Sequence, residues 1–274
     1  MILGGTVTGN FKNPQEWEDL LVRSNFKAIT APFNCQDDPA LIDQYMKIIE
    51  KHHVKISEIG VWRNLMNGEN FDYAVNQLRL ADSLGIECCV NIAGTSSKLA
   101  WDAADSSNYT KETYNKIVDL VRQIIDLAAP KHAFYTLEPM PWMIPDGPEV
   151  YLQLMKDVDR EQFAVHMDFV NMINCPRRFL CAPEFVEECF SKLGSCIKST
   201  HIKDSRMDLT KYTTHVEECP PGLGQLDYPK LLQIMNKYLP ADGAILLEHM
   251  NTFEEYDKAF KYVKAAAESA GIEV

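Results

Sequence analysis

Eight short apolar runs recur along this chain, and each is followed by a segment with the periodicity of a helix. In the segment 111–129, for example, Ile117, Leu120, Val121 and Ile124 follow the i, i+3, i+4, i+7 spacing of one helix face. Strict alternation of strand and helix predicts parallel strands joined by right-handed crossovers. The eight predicted strands are Ile2–Val7, Phe26–Pro32, Val54–Trp62, Glu87–Gly94, His132–Pro139, Phe163–Val170, Ile197–Asp204 and Gly243–Met250.

Eight parallel strands are the number that closes a barrel, so the predicted fold class is α/β, a (β/α)8 TIM barrel. An open, doubly wound sheet is the alternative, but the only early glycine pair, Gly4-Gly5, does not complete its GxGxxG loop. The chain has 274 residues without a proline- or serine-rich linker, which suits one domain spanning 1–274. The two longest connections after strands, 95–110 and 205–226, are expected to cap the catalytic face.

Composition excludes several classes of partner. The net charge of -12 argues against nucleic acid, because a nucleic-acid binder needs a basic patch. No apolar run of about 18 residues is present, so no membrane association is expected. The amino terminus lacks the basic region of a secretory signal, and the eight cysteines are scattered without a CxxC pair. These features predict a soluble protein of a reducing compartment, the cytoplasm.

Four acidic or imidazole residues end the last four predicted strands: Glu138, Asp168, His201 and Glu248. A charged residue beside buried apolar neighbours is costly unless it is paired or binds a metal. The carboxyl ends of parallel barrel strands share one face, so these four side chains, called the quartet below, are expected to converge at the barrel mouth. Four unrelated polar residues at strand ends are the alternative interpretation.

Three carboxylates and one imidazole suit a single six-coordinate divalent ion, with Mn²⁺ placed first and Mg²⁺, Co²⁺ or Zn²⁺ as alternatives. Four protein ligands leave two positions for a carbonyl oxygen and its neighbouring hydroxyl. The metal would then make the adjacent C–H acidic by stabilising an enediolate. Glu138 and Glu248 are expected to face each other across the mouth, where each can take or give a proton.

The patterns LEP at Glu138, HMD at Asp168, HIKD at His201 and LLEH at Glu248 resemble the sugar isomerase/epimerase superfamily, the xylose isomerase-like TIM barrels. This group includes ketose 3-epimerases, hydroxypyruvate isomerases and inosose dehydratases, and the resemblance covers essentially the whole chain by element order. It implies that the quartet holds the metal, and that Glu138 and Glu248 are also the catalytic acid/base pair.

Three departures from patterns within this superfamily narrow the expected activity. The ketose epimerases place a substrate-contacting histidine three residues after the strand-six aspartate, where this chain has Asn171. The xylose isomerases proper hold two metals and end strand eight in aspartate, where this chain has Glu248, so one metal is expected. The DNA-repair endonuclease branch uses several extra histidines that this chain lacks.

Six further residues are candidates for substrate binding: His166, Lys203, Arg206, Glu58, Trp62 and Trp142. His166 and Lys203 share a strand face with Asp168 and His201, respectively, since side chains alternate along a strand. Each candidate also has a structural interpretation. His166 could be a core histidine, Lys203 a counter-ion to the carboxylates and Arg206 a solvated loop residue. Glu58 could form a salt bridge to Lys203, and Trp62 and Trp142 could pack beneath loops. His249 and the other remaining histidines are interpreted as surface or packing residues.

These observations predict a metal-dependent enzyme, an isomerase or epimerase that transfers a proton next to the carbonyl of a ketose or related polyol. A metal-dependent inosose-type dehydratase and a non-catalytic sugar-binding barrel are the alternatives. The partner is expected to be a small-molecule sugar, and basic residues after strands six and seven leave an acidic or phosphorylated sugar open. A homodimer or homotetramer is compatible with the sequence.

Overall fold

A closed barrel of eight parallel strands organises the computed structural model, which describes all residues from 1 to 274. Every predicted run contains one barrel strand, so the predicted TIM barrel is confirmed. All eight runs are longer than the strands, because the apolar residues continue into the adjoining loops. The barrel strands are β1 (Ile2–Gly5), β2 (Ala28–Thr30), β3 (Lys55–Gly60), β4 (Cys88–Asn91), β5 (Phe134–Leu137), β6 (Phe163–Asp168), β7 (Ile197–Ile202) and β10 (Ala244–Leu247).

Helices surround the barrel, and several begin where the sequence places a cap. The Asn13 side chain accepts from the Glu16 N–H, and Thr252 and Glu255 form a capping box. None of the helices is both long and apolar enough to cross a membrane. Their bounds are α1 Pro14–Ser24, α2 Pro39–Lys51, α3 Phe71–Leu84, α4 Lys111–Ala128, α5 Pro148–Val158, α6 Phe169–Met172, α7 Pro176–Leu180, α8 Ala182–Leu193, α9 Tyr228–Tyr238 and α10 Phe253–Ser269.

The connection 205–226 contains structure that the sequence pattern did not reveal. Two antiparallel strands, β8 (Asp204–Met207) and β9 (Val216–Cys219), form a hairpin beside the barrel mouth. The Asp204 carboxylate accepts backbone N–H groups of Gly222, Gly224 and Leu226, which folds the end of the connection back onto its start. The hairpin therefore has a fixed position next to the strand ends. The other long connection, 95–110, contains a short 3-10 helix.

The strand register brings the site residues to one level. In the pairing of β6 with β7, Asp168 lies opposite His201, and a bulge after Val165 sets this register. Because side chains alternate along a strand, His166 lies one step below Asp168 on the inner face. The β2–β3 pair also carries a bulge, which places Thr30 opposite Glu58. The barrel interior thus carries two polar layers, one at the mouth and one directly beneath it.

Candidate active site

The quartet converges at the carboxyl ends of β5, β6, β7 and β10. One ligand atom from each of Glu138, Asp168, His201 and Glu248 lies within 4.8 Å of the others. His201 Nδ1 is 3.2 Å from Glu138 Oε1 and 3.0 Å from Glu248 Oε2. Three members are buried, and the Glu248 side chain is 15% exposed, so the cluster opens to solvent on the side of Glu248.

Two oxygens of the quartet fit a bound cation. Asp168 Oδ2 and Glu248 Oε2 are buried and accept no directed hydrogen bond. Both lie at ion-pair distance from the Lys203 ammonium, at 2.7 and 2.8 Å. Buried carboxylate oxygens with free lone pairs, next to an imidazole nitrogen, are ligands that Mg²⁺, Mn²⁺ and Zn²⁺ accept.

Glu58 forms the layer beneath the quartet. Its Oε1 accepts from His201 Nε2–H at 2.8 Å, and its Oε2 accepts from His166 Nε2–H at 3.0 Å and from the Ser199 hydroxyl at 2.6 Å. Burial would raise the pKa of Glu58, but His201 and His166 outweigh it and hold the pKa far below its usual range. An ionised carboxylate can only accept, so Nε2 of His201 carries its proton and Nδ1 points into the quartet.

Lys203 lies in the same cluster. Its side chain is fully buried, and its Nζ contacts Asp168 and Glu248 as described, with Asn171 Oδ1 at 3.2 Å and Glu218 Oε2 at 3.4 Å. Burial would lower the pKa of Lys203, but Asp168 and Glu248 outweigh it and hold the pKa well above its ordinary value. The salt bridge to Glu58 that the sequence allowed does not form, because Glu58 lies one layer deeper.

The surroundings displace the pKa values of the two quartet glutamates in opposite directions. Burial, followed by the charge of Glu248, raises the pKa of Glu138. Burial acts in the same direction on Glu248, but His201 and Lys203 outweigh it and bring its pKa well below the ordinary value. Two carboxyl groups whose pKa values are pushed apart are suited to opposite roles, one holding a proton and the other accepting one.

Three residues of the site were not assigned to it from the sequence. Asn171 donates its backbone N–H to Asp168 at 2.9 Å and contacts Lys203 through its side chain; its position three residues after the aspartate was the available signal. Glu218, on the β8–β9 hairpin, and His249 are joined at 2.8 Å, and His249 Nε2 is 3.4 Å from Glu248 Oε1. His249 is a surface residue, as interpreted from the sequence, but it has partners that the sequence did not reveal; its place directly after Glu248 was the signal.

The remaining candidates have different surroundings. Trp62 stacks against His201 with ring centroids 6.3 Å apart. His166 is completely buried and meets His201 edge to face. Trp142 donates its indole N–H to the Asp102 carbonyl at 2.7 Å, which ties two loops together. Arg206 is half exposed and pairs with a hairpin glutamate, away from the quartet.

Two clefts adjoin the barrel mouth. One, of about 660 Å³, lies between Trp62 and Trp101. The other, of about 370 Å³, lies between Trp142, Asn171 and Glu218 beside the hairpin. Aromatic walls with polar groups at one end are the usual lining of a small-molecule site.

The fold and the quartet together define a closed parallel barrel with a cluster of carboxylates and an imidazole at its mouth that could hold a metal ion. Residues 19–266 match the family model described as a xylose isomerase-like TIM barrel, and the chain belongs to this family. A search by sequence among curated proteins gives no significant match.

Solved structures with the same fold are similar over their full length. A xylose isomerase-like TIM barrel protein from Mycobacterium smegmatis, in complex with magnesium, has 17% identity and a TM-score of 0.71, with 98% of this chain and 97% of that chain covered. The probable 3-DHS dehydratase AsbF of petrobactin synthesis from Bacillus anthracis has 14% identity and a TM-score of 0.73, with 96% and 99% covered. An L-ribulose 3-epimerase has 14% identity and a TM-score of 0.72, with 98% and 95% covered.

Proposed function

We propose that this protein is a divalent-metal-dependent sugar isomerase or epimerase. It would move a proton at the carbon next to the carbonyl of a ketose or related polyol. The observation that carries this proposal is the convergence of Glu138, Asp168, His201 and Glu248, whose ligand atoms lie within 4.8 Å of one another and include two buried carboxylate oxygens without a hydrogen bond. The opposite displacement of the pKa values of Glu138 and Glu248 in the metal-free cluster is consistent with different roles for the two glutamates. The similarity in fold to an L-ribulose 3-epimerase supports the same class of reaction.

The quartet would hold one divalent ion, with Mn²⁺ tested first and Mg²⁺, Co²⁺ and Zn²⁺ as alternatives. When bound, such an ion would polarise the carbonyl and neighbouring hydroxyl of a substrate and make the C–H of the hydroxyl-bearing carbon acidic. A structural neighbour is in complex with magnesium, which supports a divalent ion in this fold. His201, held from below by Glu58, would present Nδ1 as its ligand atom.

The two glutamates would divide the proton transfers. Glu248, with the lowered pKa, is ionised at neutral pH and would take the proton from carbon, which leaves an enediolate. Glu138, with the raised pKa, would return a proton to carbon from the opposite side and so give the epimer. In the reverse reaction the two residues exchange roles. Trp62, stacked beside His201, would support the apolar face of the sugar.

A panel of ketoses, aldoses and inososes tests this function. Each sugar is incubated in D₂O with the chelated protein and with Mn²⁺, Mg²⁺ or Co²⁺ restored, and products are identified by NMR. We expect turnover of at least one ketose only with metal, with deuterium incorporated at the carbon beside the carbonyl. Turnover that is unchanged after complete chelation would contradict the metal requirement.

A metal-dependent dehydratase of an inosose-like substrate is the second candidate. Lys203 favours it, because a buried ammonium 2.8 Å from Glu248 can donate a proton to a departing hydroxyl once Glu248 has taken the proton from carbon. The panel distinguishes the two reactions by mass. A product lighter by one water identifies the dehydratase, whereas a product of equal mass apart from deuterium identifies the isomerase or epimerase.

A further inference from the structure

Lys203 is the largest charged side chain that is fully buried in this protein. A buried lysine is costly unless it is paired, and here the partners belong to the quartet. Its Nζ lies 2.7 Å from Asp168 Oδ2 and 2.8 Å from Glu248 Oε2, the two oxygens that accept no directed hydrogen bond. The ammonium therefore contacts the same oxygen atoms that a divalent ion would use.

We propose that Lys203 is the resident cation of the quartet, and that a divalent ion binds by exchange with it. Without metal, the ammonium would compensate Asp168 and Glu248 and keep the carboxylates together. When a metal binds, Nζ would give up both oxygens and remain on Asn171 Oδ1 and Glu218 Oε2. The inference rests on the proposed function in one respect only, namely that the quartet can bind a divalent ion.

The charges of the cluster support exchange. The ligand atoms of the three quartet carboxylates lie within 4.8 Å of one another, and the completely buried ammonium of Lys203 contacts two of these carboxylates, Asp168 and Glu248. A metal and an ammonium on the same two oxygens would repel each other strongly, because charges in a buried cluster are screened less than charges in water. The ammonium must therefore move for the metal to bind well, or the metal must bind weakly.

The other two contacts of Lys203 provide a place for the displaced ammonium. Asn171 Oδ1 is 3.2 Å from Nζ, and Glu218 Oε2 is 3.4 Å from it on the side of the β8–β9 hairpin. The Glu218 side chain is 37% exposed, so this position borders the cleft where a substrate would lie. After exchange, Lys203 would stand beside the substrate oxygens instead of between the metal ligands.

Lys203→Met tests the proposal, because methionine keeps most of the length and removes the charge. Its control is Lys198→Met, which makes the same change near the start of β7, at a side chain that lies over Phe134. Mn²⁺ affinity is measured by calorimetry at a single pH, and thermal unfolding is followed with and without Mn²⁺. We expect K203M to bind Mn²⁺ about tenfold more tightly than wild type. Its metal-free form should unfold at a lower temperature, and Mn²⁺ should raise that temperature by more than it does in wild type.

Glu218→Gln provides an independent variant, since it changes a partly exposed carboxylate of the hairpin. It removes the partner that would receive the ammonium, so the Mn²⁺ affinity should fall by about threefold or more. If K203M folds only when Mn²⁺ is present, that result supports the proposal. If K203M does not fold with or without Mn²⁺, the Mn²⁺ affinity of E218Q is the test. An E218Q affinity equal to that of wild type overturns the proposal.

The outcomes separate this inference from the proposed function. Equal or weaker Mn²⁺ binding by folded K203M overturns the exchange, even when wild type is an active metal enzyme. If wild type binds no divalent ion but K203M does, the metal-dependent function fails and the resident cation is supported. If neither protein binds a divalent ion, both proposals fail.

Discussion

Glu58 and His201 are joined across the barrel interior by a hydrogen bond of 2.8 Å, from β7 to β3. This contact fixes which imidazole nitrogen faces the quartet, because the ionised Glu58 accepts the proton of Nε2. Glu58 itself lies below the mouth and is fully buried. It is therefore a positioning residue, and its effect on chemistry acts through the orientation of His201.

Replacement of Glu58 should weaken metal binding. In Glu58→Leu, His201, His166 and Ser199 lose their acceptor, and we expect Mn²⁺ affinity to fall by about 10- to 100-fold. The free energy of unfolding should also fall, by about 1–3 kcal/mol or more for each donor left unpaired. Glu58→Gln keeps one carbonyl acceptor, so its Mn²⁺ affinity and its free energy of unfolding should both fall less than those of Glu58→Leu. Calorimetry and thermal unfolding measure the effects, and wild-type affinity in folded E58L would contradict this role.

Glu248→Gln should abolish turnover without loss of the fold. The amide cannot take a proton from carbon, and a missing general base typically costs about 10²- to 10⁴-fold in rate. The exposed Glu254→Gln is the control, since it makes the same change on the surface of α10. Deuterium incorporation from D₂O is the measurement. Full exchange activity in E248Q would remove Glu248 from the proposed acid/base pair.

The affinity for a divalent ion should rise with pH. Burial would lower the pKa of His201, but Glu248, Glu58 and Glu138 outweigh it and hold the pKa well above its ordinary value. Below that pKa, Nδ1 carries a proton that a metal must displace, so affinity is lost as pH falls. Mn²⁺ titrations between pH 6 and 9, repeated in buffers of different ionisation enthalpy, would report the proton released. A pH-independent affinity with no proton release would contradict the predicted protonation of His201.

Gly60→Ala should disturb Trp62. A Cβ on Gly60 would lie 1.8 Å from the Trp62 indole nitrogen, so the ring that stacks on His201 must move. Trp62 also has a φ of 47°, a strained conformation for a bulky residue, which shows that its placement is enforced by the surrounding fold. We expect KM for the sugar to rise about tenfold, as in Trp62→Ala, while metal affinity stays within about threefold of wild type. An unchanged KM in both variants would place the sugar elsewhere.

Asp82 stabilises the approach to β5. Its Oδ1 accepts backbone N–H groups of Lys131, His132 and Ala133 at 2.8, 2.6 and 2.9 Å. Burial would raise the pKa of Asp82, but these three donors outweigh it and lower the pKa. Asp82→Ala should therefore reduce the free energy of unfolding by about 1–2 kcal/mol near pH 7.

The pH dependence of this effect follows from the lowered pKa. The stabilisation is complete above the unfolded-state pKa of about 4 and is lost as pH falls through the folded-state pKa. The difference between wild type and D82A should thus shrink below about pH 4. Exposed Asp19→Ala is the control and should change little at any pH. Urea unfolding at pH 3, 5 and 7 measures all three proteins.

The barrel could be predicted from sequence because each strand is a short apolar run followed by a helical stripe. The hairpin could not, since 205–226 is polar and its shape depends on Asp204 accepting N–H groups about 20 residues ahead. Glu218 lies next to Lys203 only because the connection folds into the β8–β9 hairpin. The single domain spanning 1–274, cytoplasmic location and oligomeric state stay predictions.

The height of each side chain along the barrel axis could not be predicted from the sequence either. Alternation along a strand places Glu58 and Lys203 on inner faces, but it does not give their heights in the barrel. Lys203 lies beyond the end of β7 at the level of the quartet, whereas Glu58 lies within β3 opposite Cys88 and reaches His201 from below. The strand bulges set these heights, and nothing in the residue types reports them.

His201 belongs to both polar layers, with one nitrogen in each. The imidazole ring therefore connects the two layers. A change in the hydrogen bond between Glu58 and His201 Nε2 would alter how strongly Nδ1 donates electron density to a bound cation. A substitution at Glu58 or His166, beneath the quartet, could alter the reactivity of a bound cation and leave the residues that line the two clefts unchanged. Under the proposed function, substrate selectivity would depend on the two clefts and reactivity on the layer of Glu58 and His166, so substitutions could vary the two properties separately.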